Sequence, residues 1–260
     1  MRIESRSNET VKRAKSLSAA KGRQALGLHL IEGRKLLQEA LSSGMTVREA
    51  FFEEGAEHEC LEERALLEER GAAIYTVTRP VIEAMCDTVT PQRICATVET
   101  PPFVKSFPSG MLVALDTIQD PGNLGTILRT ADAMGASGLL LSDGCSDPYS
   151  PKALRSAMGS TYHIPLWKGD LYEALKMVKA EGYTLLCGHL DGNAELPEPG
   201  KNCVIVIGNE GNGVSEEIAS LCRLVRLPMY GRAESLNASM AAGLLMYETA
   251  KRMHAELTSK

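Results

Sequence analysis

The sequence holds no apolar run approaching the roughly 20 residues of a membrane-spanning helix. Its opening, "MRIESRSNETVKRAK", lacks the apolar stretch of a secretory leader. No C-x-x-C pair occurs among its seven cysteines, which stand singly at 60, 86, 95, 145, 187, 203 and 222. An odd count, with several members in apolar strand-like runs, predicts reduced core thiols and a cytoplasmic protein. Without paired ligand spacing a zinc site is not expected, and no metal is assigned. There is no G-x-x-x-x-G-K-[ST], which excludes that phosphate-binding loop. Internal repeats and low-complexity tracts are absent.

What is present is a chain of 260 residues, long enough for one large domain or two small ones around a real core. The net charge of −5 argues mildly against nucleic acid, but the charge is unevenly spread. Residues 1–24 carry seven basic side chains against two acidic ones, a local patch able to meet phosphates. Residues 53–69 are rich in Glu, which reads as a solvated helix face.

Short strand-like and helix-like segments alternate from the N-terminus to "RICATVE", a compact α/β layer unit. "TVETPPFVKSFPSG" holds three Pro and a Gly between two strand-like runs, and residues 99–109 are assigned as a linker. Beyond it, "MLVALDTI", "SGLLLS", "YTLLCGHL", "CVIVIG" and "LVRLPM" suit strands buried on both faces. Helix-like segments separate them, so a mainly parallel sheet is expected, with ligands beyond the carboxyl ends of its strands. The last helix is predicted over 235–257, with Ser235 as an ordinary cap and Asn237 and Ser239 just inside.

Three strand-end loops are richer than a connection requires. "IQDPGNLGTILRTADAMGA" places Pro121, Gly122 and Asn123 before a helix that carries Arg129. "VIVIGNEGNGVSEEI" ends a buried strand at Gly208, Asn209 and Glu210, then places Gly211 and Gly213 before a helix. Its glycines run G-x-x-G-x-G, the wrong order for a dinucleotide fingerprint. "LVRLPMYGRAESLNASMAAGLLMYE" leads through Ser235 and Asn237 into a helix whose small residues permit close packing, within the chain or across a dimer. No His or Cys sits in the three motifs as an ordinary base.

In this order the three loops resemble the motifs of the SpoU (TrmH-like) RNA ribose 2′-O-methyltransferases of the SPOUT superfamily. "SPKALRSAMGS" is similar to the segment between the first two motifs. The N-terminal "SRSNETVKRAKSLSAAKGRQALGLHLIEGRKLLQEAL" resembles an L30e-like substrate-binding domain fused ahead of the catalytic one. One departure is Ala238, where the family commonly has Val.

The resemblance implies an α/β fold with an L30e-like domain over 1–98 and a knotted SPOUT domain over 110–260. It also implies a homodimer with sites completed across the interface, and S-adenosylmethionine as cofactor. By motif position Gly188, His189, Gly208, Asn209, Glu210, Gly213, Leu227, Met229 and Leu236 would bind that cofactor. Arg129 would be the central catalytic group, with Asn123, Glu210, Ser235 and Asn237 orienting it and the ribose. Arg13, Lys15, Arg23, Arg34, Lys152 and Arg155 would contact RNA, with solvated helix charges as the plain alternative for the last two. The expected substrate is 23S ribosomal RNA, with transfer RNA as the runner-up. A non-catalytic RNA-binding relative and a Rossmann-type nucleotide enzyme stay open as rivals.

Overall fold

Strands and helices alternate along the whole chain, but they sort into two separate sheets. The computed structural model describes residues 1–254. It divides into two units, Met1–Pro102 with Asp147–Tyr162, and Phe103–Ser146 with the described residues from His163 onward.

The first unit runs β1 (Arg2–Ile3), α1 (Glu9–Ser16), α2 (Ala20–Leu26), β2 (Leu28–Glu32), α3 (Arg34–Ser42) and β3 (Val47–Glu53). It continues through α4 (Leu61–Glu69), β4 (Ala73–Val77), α5 (Arg79–Met85) and β5 (Ile94–Glu99). Its sheet has the order β1-β4-β3-β5-β2. β1, β4 and β3 are parallel, and β5 runs against both β3 and β2, so the sheet is mixed. Val11, Ala14 and Leu17 pack with Phe51, Val77, Val81 and Ile82 in one buried cluster. Two short helices, α1 and α2, follow one another after Asn8. Asn8 caps α1 by accepting from Thr10 N at 2.9 Å, and α2 closes on Gly27 at φ 63°, the left-handed conformation glycine adopts without strain. Within the acidic run Glu54, Glu59, Glu62, Glu68 and Glu69 are exposed, Glu53 is half-buried, and Glu63 is buried and accepts from Arg34 Nε at 2.7 Å.

The second unit runs β6 (Met111–Leu115), α6 (Pro121–Ala133) and β7 (Gly138–Ser142). The chain then supplies α7 (Pro151–Ala157) to the first unit and returns as β8 (Leu166–Gly169), α8 (Leu171–Ala180), β9 (Thr184–Asn193) and β10 (Cys203–Ile207). α9 (Glu216–Ala219), β11 (Arg223–Val225) and α10 (Ala238–Met253) complete it. The sheet order is β11-β9-β10-β6-β7-β8, parallel throughout. Every residue of β6 and of β10 is buried, which explains their unbroken apolar sequences. The winding reverses between these two strands, and a crevice opens beyond their carboxyl ends at such a point. The first two motif loops begin there.

β11 follows β9 at Leu186 and Cys187, then jumps to Asn193. The chains pass so closely that a Cβ on Gly192 would lie 2.6 Å from backbone atoms of Val225. Only glycine fits at that crossing.

The stretch Asp147–Tyr162 is built into the first unit by a buried polar cluster. Arg23 is 6% exposed and donates to Asp147 Oδ2 at 2.7 Å and to the carbonyls of Leu17 and Ser18 at 2.8 and 2.9 Å. It was expected to meet RNA; its guanidinium is committed inside the unit instead. His29 is fully buried, with Nε2 2.7 Å from Tyr162 Oη, Nδ1 3.1 Å from Thr100 Oγ1 and its ring 5.1 Å from that of Tyr149. Burial, reinforced by the charge of Arg23, lowers the imidazole pKa to about 3, so the ring is neutral. Burial likewise raises the phenols of Tyr149 and Tyr162.

Candidate active site

α6 begins earlier than its glycines suggest. Asp120 caps it, accepting from Asn123 N at 2.8 Å, and Pro121 takes the first helical position, where no N–H is needed. Pro121 and Gly122 are therefore the first turn of the helix rather than the turn before it. Asn123 sits in that same first turn, facing the other two motif loops.

The second loop is folded back on itself. Asn209 and Gly213 exchange backbone hydrogen bonds, both 2.9 Å. The Asn209 side chain accepts from Gly211 N at 2.8 Å and donates to the Thr117 carbonyl at 2.8 Å, tying this loop to the end of β6. A Cβ on Gly208 would fall 2.1 Å from the carbonyl carbon of Gly213, so the fold-back requires glycine there. Asp116 is buried beneath it, accepting from Thr117 Oγ1 and Ser215 N, both at 2.9 Å. Asp116 lies outside the three motifs, and its one signal in the sequence is a carboxylate at the end of an apolar strand.

The third loop delivers Asn237 rather than Ser235 as the cap of α10. Asn237 Oδ1 accepts from Ser239 N at 2.9 Å and Met240 N at 3.4 Å. This corrects the expected helix start, because Asn suits a cap better than a helix interior. Gly243 faces Thr130 of α6, 3.6 Å from a Cβ built on it, and Ala242 is buried, so these two small residues pack within the chain.

One chain of hydrogen bonds joins the three loops. Asn237 Nδ2 donates to Asn123 Oδ1 at 3.1 Å, and Asn123 Nδ2 donates to Glu210 Oε1 at 2.8 Å. Arg129 stands apart on the exposed side of α6, and its side chain makes no hydrogen bond or ion pair among the described residues. Six positions separate it from Asn123, about 120° around the helix at 3.6 residues per turn.

Beside this hydrogen-bonded chain lies a cleft of about 430 Å³. All nine residues expected to bind a cofactor line it: Gly188, His189, Gly208, Asn209, Glu210, Gly213, Leu227, Met229 and Leu236. Ser235 also lines it, whereas Asn123, Arg129 and Asn237 do not. Its floor is apolar at Ile207, Val225 and Leu245, and Asp191 and Arg226 stand on its wall, none of which the motifs singled out. Ala238 lines it as well. His189 is oriented by Asp191 N, which donates to its Nδ1 at 3.2 Å.

The residues expected to contact RNA all lie in the first unit. Arg13 and Lys15 are exposed on α1 and Lys152 on α7, while Arg155 is half-buried and Arg34 pairs with Glu63. Among the described residues no group of three or more His, Cys, Asp or Glu is placed to hold a metal ion. No helix there is long and apolar enough to cross a membrane.

Comparison with known proteins gives a consistent result. Residues 110–247 match the SpoU rRNA Methylase family, and residues 8–96 match an MRM3-like substrate binding domain. The chain is 37% identical over 250 residues to the 23S rRNA (guanosine(2553)-2′-O)-methyltransferase RlmP of Bacillus subtilis, covering 94% of this chain and 97% of that one. It is similar to the AdoMet-bound rRNA methyltransferase from Sinorhizobium meliloti, with a TM-score of 0.86, 31% identity and 97% of both chains covered. It is also similar to the AdoMet complex of the SpoU methyltransferase AviRb from Streptomyces viridochromogenes, with a TM-score of 0.81, 25% identity, and 95% and 99% of the two chains covered.

Proposed function

Because the chain belongs to the SpoU rRNA methylase family, we propose that it transfers a methyl group from S-adenosylmethionine to a ribose 2′-hydroxyl of 23S ribosomal RNA. The observation that carries this reading is the hydrogen-bonded chain Asn237–Asn123–Glu210, which gathers three sequence-distant loops at the rim of one cleft.

The cleft's residues fit the cofactor. Ile207, Val225 and Leu245 offer an apolar floor to a purine, and glycines leave backbone groups free to bond its edge. Asp191 and Glu210 suit its cationic groups, and Arg226 suits its carboxylate. The bound cofactor supplies an electrophilic methyl on a sulfonium.

The acceptor hydroxyl is a poor nucleophile until its proton leaves. A guanidinium does not give up its proton at neutral pH, so Arg129 is an unsuitable base. Its role is to grip the target phosphate and stabilise negative charge growing on the 2′-oxygen. Asn123, Glu210 and Asn237 fix the ribose, and Ser235 adds a hydroxyl at the rim. The exposed, unengaged state of Arg129 supports its serving the cleft of a second copy. A homodimer is further supported by a stripe on α10, where Met240, Leu244 and Tyr247 are 58%, 44% and 53% exposed. The same reading includes a knotted C-terminal region, and the free thiols support a cytoplasmic location.

Arg129→Ala is expected to lower methyl transfer by about 100-fold or more while cofactor affinity, read by calorimetry, stays unchanged. Equal loss of both would remove Arg129 from the chemistry. The function itself is tested by incubating the protein with methyl-labelled S-adenosylmethionine and total RNA from cells lacking the gene. Label in a 2′-O-methylated nucleoside of 23S RNA is expected. Label in transfer RNA would overturn the substrate, and the absence of cofactor binding would overturn the reading as a whole.

A further inference from the structure

The first unit contains an open cavity of about 500 Å³ where the start of β3 meets the ends of α2 and β5. Its polar wall is made of Arg13, Arg48, Glu49 and Glu99, with Leu26 and Thr100 beside them. These form two ion pairs, Arg13 with Glu49 and Arg48 with Glu99. Glu49 is only 6% exposed, and its second oxygen accepts from the buried Thr97 hydroxyl at 3.1 Å. That buried carboxylate fixes the guanidinium of Arg13 at the cavity mouth.

The backbone is specially arranged to put these groups together. Along a regular strand Arg48 and Glu49 would point to opposite faces. Here Val47 pairs with Val98 and Glu49 with Thr97, so Arg48 is the extra residue of a β-bulge. A bulge re-aims side chains, and both residues consequently line the same cavity.

Two cations balanced by two carboxylates attract a polyanion weakly. They match a flat group that presents paired acceptors and paired donors. Among nucleobases guanine does this: O6 and N7 accept from an arginine, and N1–H and N2–H donate to a carboxylate. Unpaired bases also stack on guanidinium planes, which Arg13 provides. We propose that this cavity is a base-specific subsite that takes an unpaired guanine of the RNA, which opens the exposed Arg48–Glu99 ion pair and bonds one edge to each partner. The inference rests on RNA being the substrate, and it adds a contact that the methyl-transfer site does not need.

The test titrates the whole protein, without cofactor or RNA, with guanosine 5′-monophosphate while the backbone amides of Gly27, Arg48 and Thr100 are followed by NMR. Saturable shifts at these amides are expected. Inosine 5′-monophosphate, which lacks the 2-amino donor, should bind about tenfold more weakly, the lower end of one base contact's worth. The adenosine and uridine monophosphates should leave the amides unmoved. Arg48→Ala and Glu99→Gln change partly exposed groups and should each weaken guanosine binding about tenfold. In methyl-transfer assays both should raise KM for RNA at unchanged kcat and unchanged cofactor affinity. Equal shifts from all four nucleotides, no shift at millimolar guanosine monophosphate, or an unaltered KM in both variants would each overturn the proposal. Guanine binding with no methyl transfer to any RNA would support the subsite and defeat the methyltransferase reading.

Discussion

Asn237 works in two directions. Its oxygen caps α10, and its nitrogen holds Asn123 toward Glu210. The two jobs separate by substitution. Asn237→Ala removes both and should cost about 1 kcal/mol, seen as a melting temperature lower by about 2–4 °C. Asn237→Asp keeps an acceptor for the cap but loses the donor to Asn123. It should melt near the parent while methyl transfer falls about tenfold, the order of one lost hydrogen bond. A fall in stability with activity intact would make the linkage to Asn123 a packing detail. The identity of these polar residues was legible in the sequence, because Asn and Glu among glycines at strand ends are poor choices for a plain turn. Their mutual bonding was not, since Asn123, Glu210 and Asn237 are far apart in the chain. Arg23 misled for a related reason. A basic helix residue reads as solvent-facing unless its partner, Asp147, is known to arrive from 124 residues away.

α10 shows what an element can reveal that its residues cannot. Ala242, Leu245, Met246 and Thr249 are buried on one side, while Met240, Leu244 and Tyr247 recur at i, i+4 and i+7 on another. Leu244→Glu places a charge in that exposed stripe. It is expected to convert a dimer to a monomer in light scattering and to abolish methyl transfer, with the melting temperature little changed. A variant that stays monomeric and active would show each chain to be self-sufficient. Mixing Arg129→Ala with Asn237→Asp chains gives a second reading, since restored activity requires sites shared between copies. The long buried strands and their alternation with helices were legible as apolar runs of the right length. β1, two residues long, and β8, four residues long with a half-buried pattern, carry too little periodicity to announce themselves. Alternation supports the mainly parallel sheet expected beyond the linker, and the second unit's sheet is parallel throughout. In the first unit β5 lies between β3 and β2 and runs antiparallel to both.

At the scale of the whole molecule the chain leaves the first unit within the Pro-rich stretch before β6, while the return of Asp147–Tyr162 to that unit carries no mark in the sequence. Nothing in "SPKALRSAMGS" announces which sheet it covers. The join rests on His29 remaining neutral, and this gives a pH dependence. The folded pKa of about 3 lies below the unfolded value near 6.5. As pH falls between these limits the unfolded chain takes up a proton that the folded one refuses. Stability therefore declines by up to about 1.4 kcal/mol per pH unit across that window and is fully retained above it. His29→Gln should flatten the fall of the urea midpoint between pH 6 and pH 4, whatever its effect at pH 7. An unchanged slope would place the acid sensitivity elsewhere.

The interrupted first unit also has a consequence for the order of synthesis. A ribosome that has finished β5 has made all five strands of that unit's sheet, yet Asp147, Tyr149 and Tyr162 are still to come. At about 5–20 residues per second the nascent chain waits roughly 3–12 s with His29 and Arg23 uncovered. Completion of the N-terminal unit is thus timed by translation of β6 and β7, strands of the other unit.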